Sequence, residues 1–132
     1  MGKTMTGELT AVFPSEGGKP AAPLTPGISC GEMVFVSGQV PRDPSGSISG
    51  STIGAQTSEV IRNLQRVLEA AGTTLDRVVK TTVYLTSIGD MAGMNEVYRE
   101  AFSGLLPTRT TVEVSALGNP GYLVEIDAIA VR

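Results

Sequence analysis

Arg109 and Glu125 are the residues of this 132-residue chain best suited to chemistry. The chain has no histidine and one cysteine, Cys30. That composition excludes Ser-His and Cys-His nucleophile pairs, and ordinary zinc or haem ligation with them. Any reaction must use arginine, carboxylates, hydroxyls, backbone groups and water. Arg109 stands in Leu106-Pro107-Thr108-Arg109-Thr110-Thr111-Val112-Glu113-Val114. Pro107 fits neither a helix interior nor a central strand, so it marks where a strand begins. The β-branched residues behind it read as that strand. A guanidinium at such a start lies on the rim of a sheet, where two parallel N–H···O bonds can hold a carboxylate. The ordinary alternative is a solvated strand-end charge paired with an acid, worth about 0–1 kcal/mol. Glu125 alternates with apolar neighbours in Val124-Glu125-Ile126; its ordinary alternative is a structural partner for a lysine or arginine.

These residues need elements to position them. Residues 1–26 read as an irregular lead-in with at most a short strand near Ala11–Phe13. Ile28-Ser29-Cys30 and Met33-Val34-Phe35-Val36-Ser37 read as a hairpin turning at Gly31-Glu32. Gly38 follows where a strand interior prefers a side chain, which predicts a bulge or the close approach of another group. Val60, Leu64, Val67, Leu68 and Ala71 recur at helical spacing, giving a helix from about Ile53 to Ala71 capped by Gly72. Val78–Leu85 is a strand. Ser87 and Asp90 suit a capping box, and Met94, Val97, Tyr98, Ala101, Phe102 and Leu105 line the buried face of the helix that follows. Thr108–Val114 and Leu123–Val131, joined by a Gly/Pro/Asn loop, are expected to pair antiparallel. The order is ββαβαββ. Two helices cover one sheet face, and apolar residues on both faces of the strands predict that oligomerisation covers the other.

Composition narrows the function. A net charge of −3 and a pI near 4.9 disfavour a nucleic-acid surface, which needs cations to neutralise phosphates. No apolar run is long enough to span a bilayer, so no membrane partner is expected. The N-terminus lacks the apolar core of a secretory signal, and a lone Cys30 fits a reducing, cytoplasmic location. Cys30 itself reads as a small core residue.

Three segments together resemble the RidA/YjgF family of reactive-intermediate deaminases: Gly31-Glu32-Met33-Val34-Phe35-Val36-Ser37-Gly38-Gln39-Val40-Pro41, Val79-Lys80-Thr81-Thr82-Val83-Tyr84-Leu85, and Pro107-Thr108-Arg109 with Val124-Glu125-Ile126. The resemblance runs from about Gly27 to Arg132. It implies a chorismate-mutase-like α+β fold, a mixed sheet with two helices on one face. Residues 1–132 would form a single domain, assembled as a homotrimer with clefts between subunits. It implies hydrolysis of 2-imino or 2-enamino acids, released by pyridoxal-phosphate dehydratases, to 2-oxo acids and ammonia.

Carried over by position, the resemblance makes Arg109 the clamp on the substrate carboxylate and Glu125 the group that positions or deprotonates water. Gly38 and Thr111 would offer backbone groups to the substrate, with Ser37 beside the cleft. Leu24 takes the substrate-side place where the family has a tyrosine, and Thr111 stands where it commonly has a cysteine. Imines hydrolyse unaided, so no metal or cofactor is expected. Two other functions compete: a non-catalytic trimer that binds 2-oxo acids, and an RNA-cleaving translation inhibitor, which the acidic composition disfavours.

Overall fold

A computed structural model describes residues 7–132; the reading of the extreme N-terminus lies outside the described residues. Gly31, at φ +60°, makes the tight turn that sequence places there, because a two-residue hairpin loop favours a positive φ at its first position. It joins β2 (Gly27–Cys30) to β3 (Met33–Gln39), with Cys30 opposite Met33. The lead-in contributes one strand, β1 (Leu9–Val12), which pairs antiparallel with β2. α1 (Ile53–Ala70) begins where Thr52 accepts a hydrogen bond from the Ala55 N–H. It ends as predicted at Gly72, whose φ of +82° allows two closing bonds: Gly72 N–H to Glu69 C=O and Thr73 N–H to Leu68 C=O.

β4 (Val78–Leu85), α2 (Met91–Ala101), β5 (Thr108–Glu113) and β6 (Val124–Val131) complete a sheet in the order β1-β2-β3-β6-β4-β5. The expected hairpin of the last two strands does not form. β5 runs parallel to β4 at the sheet edge, and β6 inserts antiparallel between β3 and β4. Side-chain chemistry explains the exchange. Val124, Ile126, Ala128 and Ala130 of β6 are buried alternately, which suits a central strand. β5 carries mostly exposed threonines and charges, the composition of a protected edge. A helix between β4 and β5 also makes their parallel pairing natural.

Two smaller expectations fail. Neither Ser87 nor Asp90 makes a side-chain cap; instead the Ile88 N–H reaches Glu113 Oε1 at 2.8 Å. Leu105 is not on a buried helix face, because α2 stops at Ala101 and Leu105 is 93% exposed. Val78 joins Thr81, Val83 and Leu85 under the helices, since a register shift at Val79 moves it from the face simple alternation assigns.

Both helices lie on one face, and the core between helices and sheet is built from Val34, Val60, Leu64, Leu68, Val83, Met94 and Ile126 among others. The other face has no cover among the described residues. One end of it is apolar, with Ile28, Met33, Phe35 and Ile129. The other end carries Thr82, Tyr84, Glu125 and Asp127.

Candidate functional site

β5 brings Arg109 to the helix side of the sheet. Its register partner is Thr81, which pairs in turn with buried Ala128. The guanidinium donates from Nη1 to Asn95 Oδ1 at 2.7 Å and lies 5.0 Å from the centre of the Tyr98 ring. Tyr98 is fixed from behind. Its hydroxyl bonds Thr81 Oγ1 at 2.7 Å, and its ring packs on Phe102 at 4.6 Å. Burial pushes the Tyr98 phenol up, with the Thr81 bond and the Arg109 charge opposing. Arg109 is thus held by an amide and an aromatic face, and no carboxylate among the described residues pairs with it. It lines a pocket of about 190 Å³ with Asn95, Tyr98, Arg99, Leu106 and Pro107.

Thr111 follows on the same face, opposite Val83, with its Oγ1 buried and unbonded. The Val114 N–H donates to Leu85 C=O. Alternation along a strand therefore turns the backbone groups of Arg109 and Thr111 toward the free edge of β5.

Glu125 occupies the other face, directly opposite Tyr84 on β4. The bulge expected at Gly38 is present, since the pairing jumps from Val36↔Ala128 to Gln39↔Ile126 and leaves Ser37 and Gly38 against Asp127. The expected close approach is present too. A methyl group at Gly38 would overlap Glu125 Oε2 and stand 3.0 Å from Cδ, so only glycine leaves room for the carboxylate. Ser37 donates to Thr25 C=O at 2.6 Å, so its hydroxyl anchors the preceding loop. Leu24, half-exposed, borders a cleft of about 310 Å³ with Gly38, Gln39, Arg42 and Asn63.

Burial raises the proton affinity of Glu125, and the neighbouring Asp127 charge adds to it. Buried Glu59 shows the opposite outcome. Burial pushes it up, but hydrogen bonds from Arg66 at 2.8 Å and Arg62 at 3.1 Å win, and its carboxyl falls below the usual range. Glu59 is a paired structural acid; no cation among the described residues pairs with Glu125.

Within one chain, then, Gly38 meets Glu125 with Ser37 beside it on β3, Thr111 accompanies Arg109, and the two groups stand on opposite faces of the sheet. In sequence, Asn95 reads as a solvated or hydrogen-bonded helix residue and Tyr98 as core. Their helical spacing on α2, facing β5, was the available signal that they meet Arg109. Among the described residues no cluster of histidine, cysteine or acids could hold a metal ion, and no helix is long and apolar enough to cross a membrane.

Comparison with known proteins gives consistent matches. The family model described as endoribonuclease L-PSP matches residues 16–132. A RutC family protein of Pyrococcus abyssi is 44% identical over 122 residues, covering 92% of this chain and 95% of its own. The mouse 2-iminobutanoate/2-iminopropanoate deaminase is 39% identical over 116 residues, covering 86% and 85%. Among solved structures, a Rid family protein from Yersinia pestis superposes with a TM-score of 0.90 at 36% identity, covering 95% of this chain and all of that one. TdcF of Escherichia coli, solved with bound serine, gives 0.86 at 32% identity, covering 93% and 98%.

Proposed function

Since this chain belongs to the RidA/YjgF family, we propose that it hydrolyses 2-imino or 2-enamino acids to 2-oxo acids and ammonia, at clefts between the subunits of a homotrimer. The observation that carries this reading is Arg109, a guanidinium pre-oriented by Asn95 and Tyr98 with no carboxylate partner of its own among the described residues. It is free to take one from a ligand. The imine carboxylate binds its fork, and Glu125 accepts a proton from water as the oxygen bonds to the C=N carbon. The nitrogen gains that proton and then the one that the new hydroxyl loses as its oxygen forms the C=O, the C–N bond breaks, and 2-oxo acid and ammonia leave. Holding the carboxylate turns a bimolecular encounter into an oriented attack, and a partly buried carboxylate that no cation among the described residues pairs with is the stronger base for it.

The placement of Arg109 and Glu125 on opposite faces supports the assembly as well as the chemistry. One site containing both needs the Arg109 face of one copy beside the Glu125 face of another, and the open sheet face offers the surface for it. Names among the relatives agree in kind: a mouse protein is called an imine deaminase, and TdcF holds serine, a small amino acid with the same carboxylate. The test is ammonia release from imino acids generated in situ, run beside 2-oxo acid binding by calorimetry and sizing by light scattering. Turnover above the spontaneous rate, lost in Arg109→Ala, supports the deaminase. Binding of 2-oxo acid without turnover would move the reading to a ligand-binding trimer.

A further inference from the structure

On the open face, Glu125, Tyr84 and Asp127 form one contiguous group. Tyr84 lies directly across from Glu125, and Asp127 is two residues along β6 on the same face. The Tyr84 hydroxyl does not point its hydrogen at Glu125; it donates to Asp127 Oδ2 at 3.1 Å. One tyrosine therefore stands across from the first carboxylate and fixes the second with its hydroxyl. A second carboxylate beside a candidate base disfavours the charged form of that base.

We propose, resting on the deaminase reading, that Tyr84 and Asp127 are a positioning pair that holds a fixed negative charge beside Glu125 and so sets the pH at which Glu125 becomes a proton acceptor. Neither touches substrate in this role. Within one subunit, the groups facing Glu125 leave Asp127 as the source of charge; the one charged group the proposed assembly adds is the guanidinium of Arg109 from a neighbouring copy, which acts in the opposite direction. β3 offers Ser37 and Gly38, neither charged. β4 offers Tyr84, then Thr82 and Lys80, whose ammonium is engaged with Thr82 Oγ1 at 3.1 Å. The β5 residues beyond, Thr110 and Val112, are uncharged. The direction of the proton affinities agrees. Glu125 is raised by burial and then by Asp127, and the Tyr84 phenol is raised by burial and then by its bond to Asp127.

The experiment titrates Glu125 directly in the assembled protein, by carboxyl ¹³C NMR on side-chain-labelled glutamate, with the signal assigned by its loss in Glu125→Gln. Asp127→Asn should move the Glu125 midpoint to lower pH. Tyr84→Phe should move it the same way by less, because an untethered Asp127 turns toward water. It also serves if Asp127→Asn fails to assemble. An unchanged midpoint in the assembled variants would overturn the proposal. The acid limb of the pH–rate profile, measured on the same samples, tests the reading beneath. A limb that follows the midpoint supports both. A midpoint that moves while the limb stays still would keep the pair and remove Glu125 from the base role.

Discussion

The Arg109 corner and the Glu125 corner are built on opposite principles. Arg109 sits on an edge strand, exposed, and owes its orientation to polar contacts from a helix. Glu125 sits on a central strand, partly buried, pressed against a backbone that lacks a side chain. A cation that must capture a mobile carboxylate gains from access and a fixed fork. A carboxylate that must accept a proton gains from partial desolvation with no cation nearby. Each corner supplies what its task asks, and neither holds the other's group. The sheet between them makes an isolated chain carry two halves of one site.

The largest effect tests that division. Arg109→Ala removes two charge-assisted bonds of about 1.5–3 kcal/mol each, so kcat/KM should fall roughly 10²–10⁴-fold, with loss of 2-oxo acid binding. Arg109→Lys should recover little. Glu125→Gln should lose roughly 10²–10⁴-fold in kcat while keeping the ligand. Co-assembling the two inactive variants should then restore activity. If the halves come from different subunits, about a quarter of the interfaces draw both intact residues. Assay of refolded mixtures checks this, and no recovery in well-mixed trimers would place both residues in one subunit's site or remove one of them from it.

Next in size is Gly38→Ala. The added methyl meets the far end of a side chain rather than backbone, so the Glu125 carboxylate can swing aside and the fold should survive. Its displacement should still lower kcat by about 10²-fold, the usual penalty for an ångström of misplacement. Kinetics alongside a melting curve read the two effects apart. A collapse in melting temperature with proportionate activity loss would make Gly38 purely structural.

Asn95→Ala should do less. It removes a single hydrogen bond that orients Arg109 and leaves the cation–ring contact in place. Loss of about 1 kcal/mol of ligand binding is expected, seen as a several-fold rise in KM with kcat nearly unchanged. A fall in kcat at constant KM would mean that Asn95 acts on the reacting atoms.

Much of this was legible in the sequence, for identifiable reasons. Local signals survived: the Gly31 turn, the α1 periodicity and its Gly72 cap, and a Gly38 that neither strand propensity nor packing would choose. The neighbours of the last two strands were not legible, unlike the β2–β3 hairpin. The short loop before β6 suggested a hairpin, but the choice between edge and centre depends on how apolar each strand is on both sides, a tertiary matter that outweighs sequence proximity. The same holds for the site. Residue types singled out Arg109 and Glu125, while their separation by the sheet follows from register, and a one-residue shift at Val79 suffices to change which side chains share a face. Asn95 and Tyr98 escaped because a hydrogen-bonding helix residue and a core aromatic look the same in sequence whatever they hold.

The smallest effect concerns stability, and only the Glu125 corner should carry a definite sign. The folded protein raises the proton affinity of Glu125 above the ordinary glutamate value. Its contribution to stability is therefore full below the unfolded-state value and is lost as pH rises through the folded one. At neutral pH the charged carboxylate is a small liability, reduced by solvent screening because the side chain is only partly buried. Glu125→Gln keeps the shape and removes the charge. Its melting temperature should exceed the parent's at neutral pH by roughly 1–3 °C, and the gap should close as both are acidified below the usual carboxylate range. Arg109→Ala, exposed and without an acid partner, should shift stability by less than about 0.5 kcal/mol in either direction. Scanning calorimetry across pH separates the cases. A Glu125→Gln variant that melts lower at neutral pH would mark the glutamate as a structural anion with a hidden cation, and the contrast between a reaching arginine and a strained base would fail there first.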